Sequence, residues 1–347
     1  MKILVTGGSG FIGSTFVRLA LGRGHNIINV DALSYSAKLD NLADLKNHKK
    51  YRFVHADIRD QKILEIIFKR YKPSYVINFA AESHVDESID APLKFVETNV
   101  CGTLSVLEAS RKYWTANDNL KSFRFHHVST DEVYGSLTYD SVDKFTEDTA
   151  YNPQNPYSAT KASSNHLVQA WHNTYGLPTV ITNSSNNFGP YQFPEKLIPV
   201  SIIRAIAEES IIIYGDGGNV RDWLFVEDHA EALLLLTERE KVGSIFNIGG
   251  NNEFTNLDII TAVCEILDHL RPRRSGQYSD LITFVRDRPG HDRRYAVDAR
   301  RITKELSWMP KVHFSEGLEK TVKWYLNNQC WWHEAAHHAK LRKGLRK

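Results

Sequence analysis

The stretch Thr6-Gly7-Gly8-Ser9-Gly10-Phe11-Ile12-Gly13 constrains the fold of this chain more than any other. It follows a β-branched run, Lys2–Thr6, and opens a segment with apolar residues at helical spacing, 13–21. Glycines at 7, 10 and 13 suit a tight turn from strand to helix. They let backbone approach a pyrophosphate and let the helix pack closely on the strand, while the first amides of the helix face the anion. A glycine-rich surface turn would need neither the strand before nor the helix after. The expectation is a dinucleotide site at the start of an open α/β sheet.

The rest of the first half repeats the alternation. Candidate strands at 26–31, 52–55, 75–78, 123–129 and 179–183 are separated by helical patterns such as 61–70 and 102–113. Strands alternating with amphipathic helices predict a parallel sheet with right-handed crossovers, a Rossmann-like doubly wound α/β fold. A further strand at 244–248 is expected to rejoin it. Between 186 and 228 the texture changes, with Pro190, Pro194, Pro199, a helical run at 197–208 and the glycine turn Gly215-Asp216-Gly217-Gly218. Residues 271–295 are rich in Arg and Pro. These segments predict a smaller, discontinuous C-terminal part capping the C-terminal edge of the sheet.

At 347 residues the chain has room for about two domains at roughly 150 residues each. Its 42% hydrophobic content is ordinary for a globular protein and excludes a disordered chain. Cys101, Cys264 and Cys330 contain no C-x-x-C pair, so neither a disulfide frame nor a structural zinc site is expected. No apolar run approaches the roughly 18 residues of a membrane span. Met1-Lys2-Ile3-Leu4-Val5 leads straight into the glycines, which leaves no room for a signal peptide. The chain is expected in the cytoplasm with reduced thiols.

Asp31 ends the second strand, 24 residues after Gly7. An acid near that offset holds the adenosine ribose hydroxyls in dinucleotide folds. Ala32, Leu33 and Ser34 follow it with no Arg, so a 2′-phosphate would meet a carboxylate and no cation. That favours NAD over NADP. Asp57 and Ile58, after the third strand, are placed to border the adenine.

Tyr157-Ser158-Ala159-Thr160-Lys161 follows Pro156, a residue suited to the first turn of a helix. Positions i and i+4 share a helix face. A nearby ammonium favours a phenolate and lowers the tyrosine pKa from about 10, which makes a base useful near neutral pH. The same spacing fits a surface pair; the fingerprint and five strands before it favour the chemical reading. Residues 129–135, Ser-Thr-Asp-Glu-Val-Tyr-Gly, fall at the C-terminal end of the fifth strand, where open α/β sheets bind ligands. Asp131 and Glu132 fit an acid/base pair acting on the group that Tyr157 helps oxidise. They also fit a helix cap or a solvated turn.

With these motifs in hand, the chain resembles the extended short-chain dehydrogenase/reductase family and, within it, the dTDP-glucose 4,6-dehydratases. The likeness runs from residue 1 to about 327. Phe79-Ala80-Ala81-Glu82-Ser83-His84-Val85-Asp86, 129–135, 185–190, 194–199, Arg221-Asp222-Trp223 and 287–292 carry it. Thr130-Asp131-Glu132 discriminates, because related 4-epimerases usually lack the Asp-Glu pair.

The resemblance implies a reaction that converts dTDP-glucose to its 4-keto-6-deoxy product plus water, a step in deoxysugar (rhamnose-type) biosynthesis. Tyr157 would take the proton of the sugar 4-hydroxyl, held by Thr130, as hydride leaves C4 for a tightly bound NAD. Glu132 would remove the acidified C5 proton and Asp131 would protonate the departing 6-hydroxyl. Hydride would return to C6. Lys161 would bind the nicotinamide ribose. The implied cofactor residues are Gly7, Gly10, Phe11, Ile12, Gly13, Asp31, Ala32, Leu33, Ser34, Asp57 and Ile58. Phe79, Ala80, Ala81, Ser83, Thr98, Asn187, Tyr157 and Lys161 complete that set. Ser83, Thr130, Asn186, Lys196, Leu197, Tyr214, Arg221, Asn256, Arg288 and His291 would hold the nucleotide sugar. Paired arginines suit a diphosphate, and Arg286, Arg293 and Arg294 compete with Arg221 and Arg288 for that role.

The implied division is a NAD-binding domain at 1–185 and 229–256, a nucleotide-sugar-binding domain at 186–228 and 257–327, and a basic tail at 328–347. A homodimer packed through helices at 102–113 and 159–175 is also implied. Three departures stand out: Glu87 where many relatives have Arg, and Ser184 and Phe188 in place of Cys and Tyr. The nearest rivals are a UDP-sugar 4,6-dehydratase and a 4-epimerase; a non-enzymatic NAD-binding scaffold would not need the retained Tyr157, Lys161, Asp131 and Glu132.

Charge adds little to this. The formal net charge is +2, but Lys340, Arg342, Lys343, Arg346 and Lys347 lie in the last eight residues, and the rest of the chain carries −3. His333 and His337 share a helical spacing without a third ligand, and the tail lacks an aromatic platform at its end. No metal, nucleic-acid or membrane partner is expected.

Overall fold

A computed structural model describes residues 1–239, 241–287 and 291–338, with side chains as far as His333. Arg288, the side chain of His337 and the basic run from 339 onward lie outside the described residues. The chain opens with β1 (Lys2–Thr6), β2 (Asn26–Asp31), β3 (Tyr51–His55), β4 (Tyr75–Asn78), β5 (Arg124–Thr130) and β6 (Thr179–Ser184). It then leaves the sheet for β7 (Asn186–Phe188), β8 (Ile211–Tyr214) and β9 (Val220–Phe225). It returns as β10 (Ser244–Ile248) and leaves again for β11 (Glu253–Thr255) and β12 (Ile282–Val285). The large sheet has seven parallel strands in the order β10-β6-β5-β4-β1-β2-β3. β11-β9-β7 and β12-β8 form two small sheets.

Helices α1 (Phe11–Gly22), α2 (Gln61–Tyr71), α3 (Val85–Asp90), α4 (Pro92–Phe95), α5 (Thr103–Ala116) and α6 (Pro156–Tyr175) belong to the first half. The second half holds α7 (Leu197–Ile206), α8 (Val226–Thr237), α9 (Asn256–Leu270), α10 (Arg300–Leu306), α11 (Phe314–Asn327) and α12 (Gln329–His338). Among the described residues no helix is long and apolar enough to cross a membrane.

The continuous apolar run of β1 follows from burial on both faces. Ile3 and Val5 meet Phe16 and Ala20 of α1 and Leu233 of α8 in one core. Leu4 faces the other way, into a core with Leu64 and Phe68 of α2, Val106 and Leu107 of α5 and Val168 of α6. A third core forms away from the sheet, from Ile198 and Ile202 of α7, Ile211 and Ile213 of β8, Ile259 and Val263 of α9, and Leu318 and Val322 of α11.

The expected strands and helices appear with small shifts. β5 runs one residue later than the apolar pattern suggested, because Phe123 N–H closes a turn on Leu120 at 2.9 Å before pairing begins. The shift makes Thr130 the last strand residue, paired with Ser184. The helix expected from 102 is preceded by a π-helical turn, Val96–Gly102, continuous with it. In that turn Asn99 accepts from Glu82 N–H at 2.8 Å and donates to the Glu82 carbonyl and the Thr160 hydroxyl, both at 3.0 Å. Ala299, Ile302, Leu306 and Trp308, late in the chain, pack with the β1 core. The stretch expected as a basic tail opens with α12, in which Trp332 is buried.

Candidate active site

The glycine turn is built as its spacing requires. Gly7 has φ +71°, and a Cβ there would lie 2.7 Å from Ala80 N. A Cβ at Gly13 would lie 2.2 Å from the Gly7 carbonyl oxygen. Backbone therefore packs on backbone at both positions, and only glycine fits. Asp31, at the end of β2, accepts Ser9 N–H at 2.9 Å and Leu33 N–H at 2.8 Å. Burial raises the pKa of this carboxyl, and the two N–H bonds oppose that.

Every residue expected at the cofactor except Leu33 lines one cavity of about 540 Å³. Leu33, at φ 52°, contributes its backbone N–H to Asp31 and no cavity surface. A cradle of bare backbone at a helix N-terminus beside a fixed carboxylate fits a dinucleotide. Arg59, which no local motif marks, also lines this cavity. Its guanidinium is held by Asp57 at 2.7 Å and by Glu97 at 3.4 Å.

Tyr157 and Lys161 are set by a strong helix start. Asn155 caps α6, its side chain accepting Ser158 N–H at 2.9 Å while the Ser158 hydroxyl takes Asn155 N–H at 3.2 Å. Pro156 occupies the first turn. Such a cap contributes about 1 kcal/mol. Tyr157 N–H donates to the Ser88 hydroxyl at 3.3 Å, and its ring packs edge-on against Phe95.

One expectation is corrected here. The Lys161 ammonium donates to the Val128 carbonyl at 2.8 Å and lies 3.5 Å from His127 Nε2. It does not lower the Tyr157 pKa. Burial, Glu132 and Asp131 raise the phenol above its ordinary value, and a hydrogen bond with Thr130 only partly opposes them. Burial in turn lowers Lys161 to about 7. Helical spacing puts both residues on one face but does not say where the ammonium points.

Thr130 ends β5 and caps the short turn Asp131–Tyr134, its hydroxyl accepting Glu132 N–H at 3.3 Å and donating to Asp131 Oδ1 at 3.3 Å. The helix-cap reading of this stretch is therefore true, and it coexists with the cavity: Thr130, Asp131, Glu132, Tyr157 and Lys161 all line it. Asp131 is 1% exposed and its Oδ2 is buried with no hydrogen-bond partner. Burial, then Glu132 and Asp222, raise its pKa well above the usual carboxylate range, against the pull of Arg221. The environment therefore favours the protonated carboxyl.

A second, smaller cavity of about 130 Å³ adjoins the first, and Glu132, Asn186, Glu195 and Lys196 line both. Of the expected sugar-nucleotide residues it gathers Asn186, Lys196, Leu197, Tyr214, Arg221, Asn256 and His291. Ser83 and Thr130 face the larger cavity instead. The Arg221 guanidinium is buried, fixed to the carbonyls of Val220 at 2.8 Å and Asp292 at 2.9 Å, and stacked over Tyr295 at 4.2 Å. His291 Nδ1 is 2.7 Å from Asp287.

The departures also have places. Glu87 holds Lys94 at 2.9 Å, and Lys94 reaches Glu82 at 3.2 Å inside the larger cavity. Phe188 packs in the third core against Trp223 and Phe225, and Ser184 lines the larger cavity. Lys94, Gln192, Phe193, Glu195 and Tyr295 were missed as cavity residues. Glu195 could have been flagged, since it sits beside Lys196 in the 194–199 stretch; Lys94 carries no local signal.

Comparison with known proteins agrees with this geometry. Residues 4–321 match the family described as GDP-mannose 4,6 dehydratase. The dTDP-glucose 4,6-dehydratase of Shigella flexneri is 52% identical over 341 residues, covering 95% of this chain and 94% of its own. The crystal structure of dTDP-glucose 4,6-dehydratase from Bacillus anthracis in complex with NAD superposes with a TM-score of 0.86 at 42% identity, covering 96% and 99% of the two chains. The Streptomyces venezuelae dTDP-glucose 4,6-dehydratase, also with NAD bound, has a TM-score of 0.88 at 39% identity, covering 96% and 100%. The chain belongs to the dTDP-glucose 4,6-dehydratase family of extended short-chain dehydrogenases/reductases.

Proposed function

We propose that this enzyme converts dTDP-D-glucose to dTDP-4-keto-6-deoxy-D-glucose and water. One observation carries the reading: two adjacent carboxyls share a cavity with Tyr157, and Asp131 is buried, which raises its pKa, while Glu132 opens onto both cavities. NAD, when bound along the glycine turn, supplies a hydride acceptor at C4 of the sugar and a hydride donor at C6.

The remaining chemistry falls to the chain. Thr130 orients the 4-hydroxyl and Tyr157 takes its proton. Burial and then the charges of Glu132 and Asp131 hold the phenol protonated, so a proton on Asp131, which its raised pKa favours, eases this step. A 4-ketone acidifies the neighbouring C5–H. Glu132 removes that proton, and Asp131 gives its own to the departing 6-hydroxyl, so one acid and one base act side by side. Lys161, Asp31 and the wall Phe79-Ala80-Ala81 hold the dinucleotide. Arg221, prefixed by its carbonyl contacts, meets the substrate diphosphate together with Lys196 and Asn186, while Tyr214, Asn256 and His291 enclose the nucleoside end.

The same reading assigns 1–185 and 229–256 to cofactor binding and 186–228 and 257–327 to the sugar nucleotide. It places the enzyme in the cytoplasm, in a deoxysugar pathway, as a homodimer packed through α5 and α6. Exposed Leu93 and Val96, just before α5, and Tyr175, at the end of α6, support that face. Incubation with dTDP-glucose and, separately, UDP-glucose tests the substrate. A 4-keto-6-deoxy product from dTDP-glucose is expected; a 4-epimer, or turnover of UDP-glucose alone, overturns the assignment.

A further inference from the structure

The aromatic end of the described chain has no part in the chemistry above, yet it is wired to the cofactor turn. Trp331 of α12 donates its indole N–H to Asn41 Oδ1 at 2.9 Å. Asn41 is fully buried, and its amide donates to the Ser9 carbonyl at 2.8 Å. Ser9 lies inside the glycine turn, where its own N–H binds Asp31. The Lys38 N–H joins on the same Ser9 carbonyl at 3.2 Å, and the Lys38 ammonium caps the Trp331 carbonyl at 3.2 Å. Two hydrogen bonds thus separate Trp331 from the pyrophosphate turn.

The same indole also holds a second loop. Trp331 packs edge-on against Tyr191 at 5.9 Å, and Trp324 of α11 packs on both, at 4.7 Å from Tyr191 and 5.0 Å from Trp331. Tyr191 has φ +66°, an unfavourable backbone for a bulky residue that such packing can hold. Directly after it come Gln192 and Phe193, which line the cofactor cavity. Tyr325 of α11 donates to the Gln192 carbonyl. The two loops then meet: Tyr35 packs edge-on against Phe193 at 5.5 Å, and its hydroxyl donates to Glu195 at 3.0 Å.

We propose that Trp331, acting through Asn41 and Tyr191, is a positioning residue that clasps both loops over the bound dinucleotide and sets how long it stays. The inference rests on the cofactor reading above. Its logic is chemical. A reaction that returns its NAD to the starting state at each turnover needs no exchange, and a cofactor lost midway strands the sugar as a 4-ketone. Ordering the loops in advance also lowers the cost of binding.

The test compares wild type, Trp331→Ala and Trp331→Phe for NAD retained after gel filtration, the rate of NAD release, and turnover with and without added NAD. Trp331→Ala should release NAD about tenfold faster, the scale of one hydrogen bond plus an aromatic contact. Its activity should fall without added NAD and return to within about twofold at saturating NAD. Trp331→Phe keeps a ring against Tyr191 but loses the N–H, and should fall between. NAD held as long as in wild type by both variants, or lost activity that added NAD does not restore, overturns the clasp. If Trp331→Ala does not fold, unchanged retention in Trp331→Phe overturns it alone. Wild-type protein that takes up no NAD overturns the cofactor reading, and the clasp with it.

Discussion

Glu132 borders both cavities, whereas Asp131, the residue before it, borders only the larger one and is closed off from solvent. Adjacent in sequence and alike in chemistry, the two carboxyls differ in environment, and the proposed mechanism uses that difference to make Asp131 the proton donor and Glu132 the proton acceptor. That division is what an elimination of water requires.

Replacing Asp131 by Asn and Glu132 by Gln together should stop water loss, with turnover falling by about 10²–10⁴-fold, the usual worth of a placed acid or base. NAD binding and folding should survive, and sugar oxidised at C4 should still be detectable. Product analysis by mass spectrometry checks this; unchanged turnover would refute the assignment.

The raised pKa of Asp131 has a signature in stability. In the unfolded chain the group ionises near 3.8, and in the folded protein well above that. Its stabilising contribution is therefore present below about pH 4 and lost as pH rises through the folded value. Asp131→Asn removes this loss. Its melting temperature should gain on wild type progressively as pH rises above about 4, in a thermal unfolding series; a constant offset would mean that the carboxyl is not buried with its proton.

Lys161 runs the opposite way. Burial depresses its pKa from 10.5 to about 7, so its stabilising contribution is present above 10.5 and lost as pH falls through 7. NAD-free Lys161→Met should gain melting temperature over wild type as pH falls across that range, levelling off below about pH 7, while losing turnover. Calorimetry of the two proteins at several pH values decides it.

Two glycines of the same fingerprint should behave differently. Gly13→Ala puts a Cβ against fixed backbone at 2.2 Å and should cost roughly 1–3 kcal/mol along with NAD binding. Gly10→Ala meets only the Gly7 carbonyl, at 3.4 Å, and should leave unfolding nearly unchanged; any loss there falls on NAD affinity. Paired unfolding curves and NAD titrations separate the two effects.

Much of this is legible in the sequence. The β-branched runs of β1 and β10 have clean ends because glycines bound them, and the fingerprint, Asp31 and residues 129–132 line the cavity at the edge where a doubly wound sheet binds its ligand. What local pattern could not carry is direction and long-range company. Nothing near Lys94 shows that Glu82 and Glu87 will draw it into the cavity, and nothing near Trp331 shows that Asn41, 290 residues earlier, will accept its N–H. The tyrosine pKa escapes local pattern for the same reason: the i, i+4 rule fixes a shared face, while the Val128 carbonyl decides where Lys161 aims.

The central claim is that hydride taken from C4 returns to C6 within one molecule while Asp131 and Glu132 expel water. Incubation with dTDP-glucose deuterated at C4, followed by NMR of the product, tests it most directly. The account predicts deuterium at C6 of the 4-keto-6-deoxy sugar. Hydrogen from solvent alone at C6, or deuterium retained at C4 of an epimer, would contradict it.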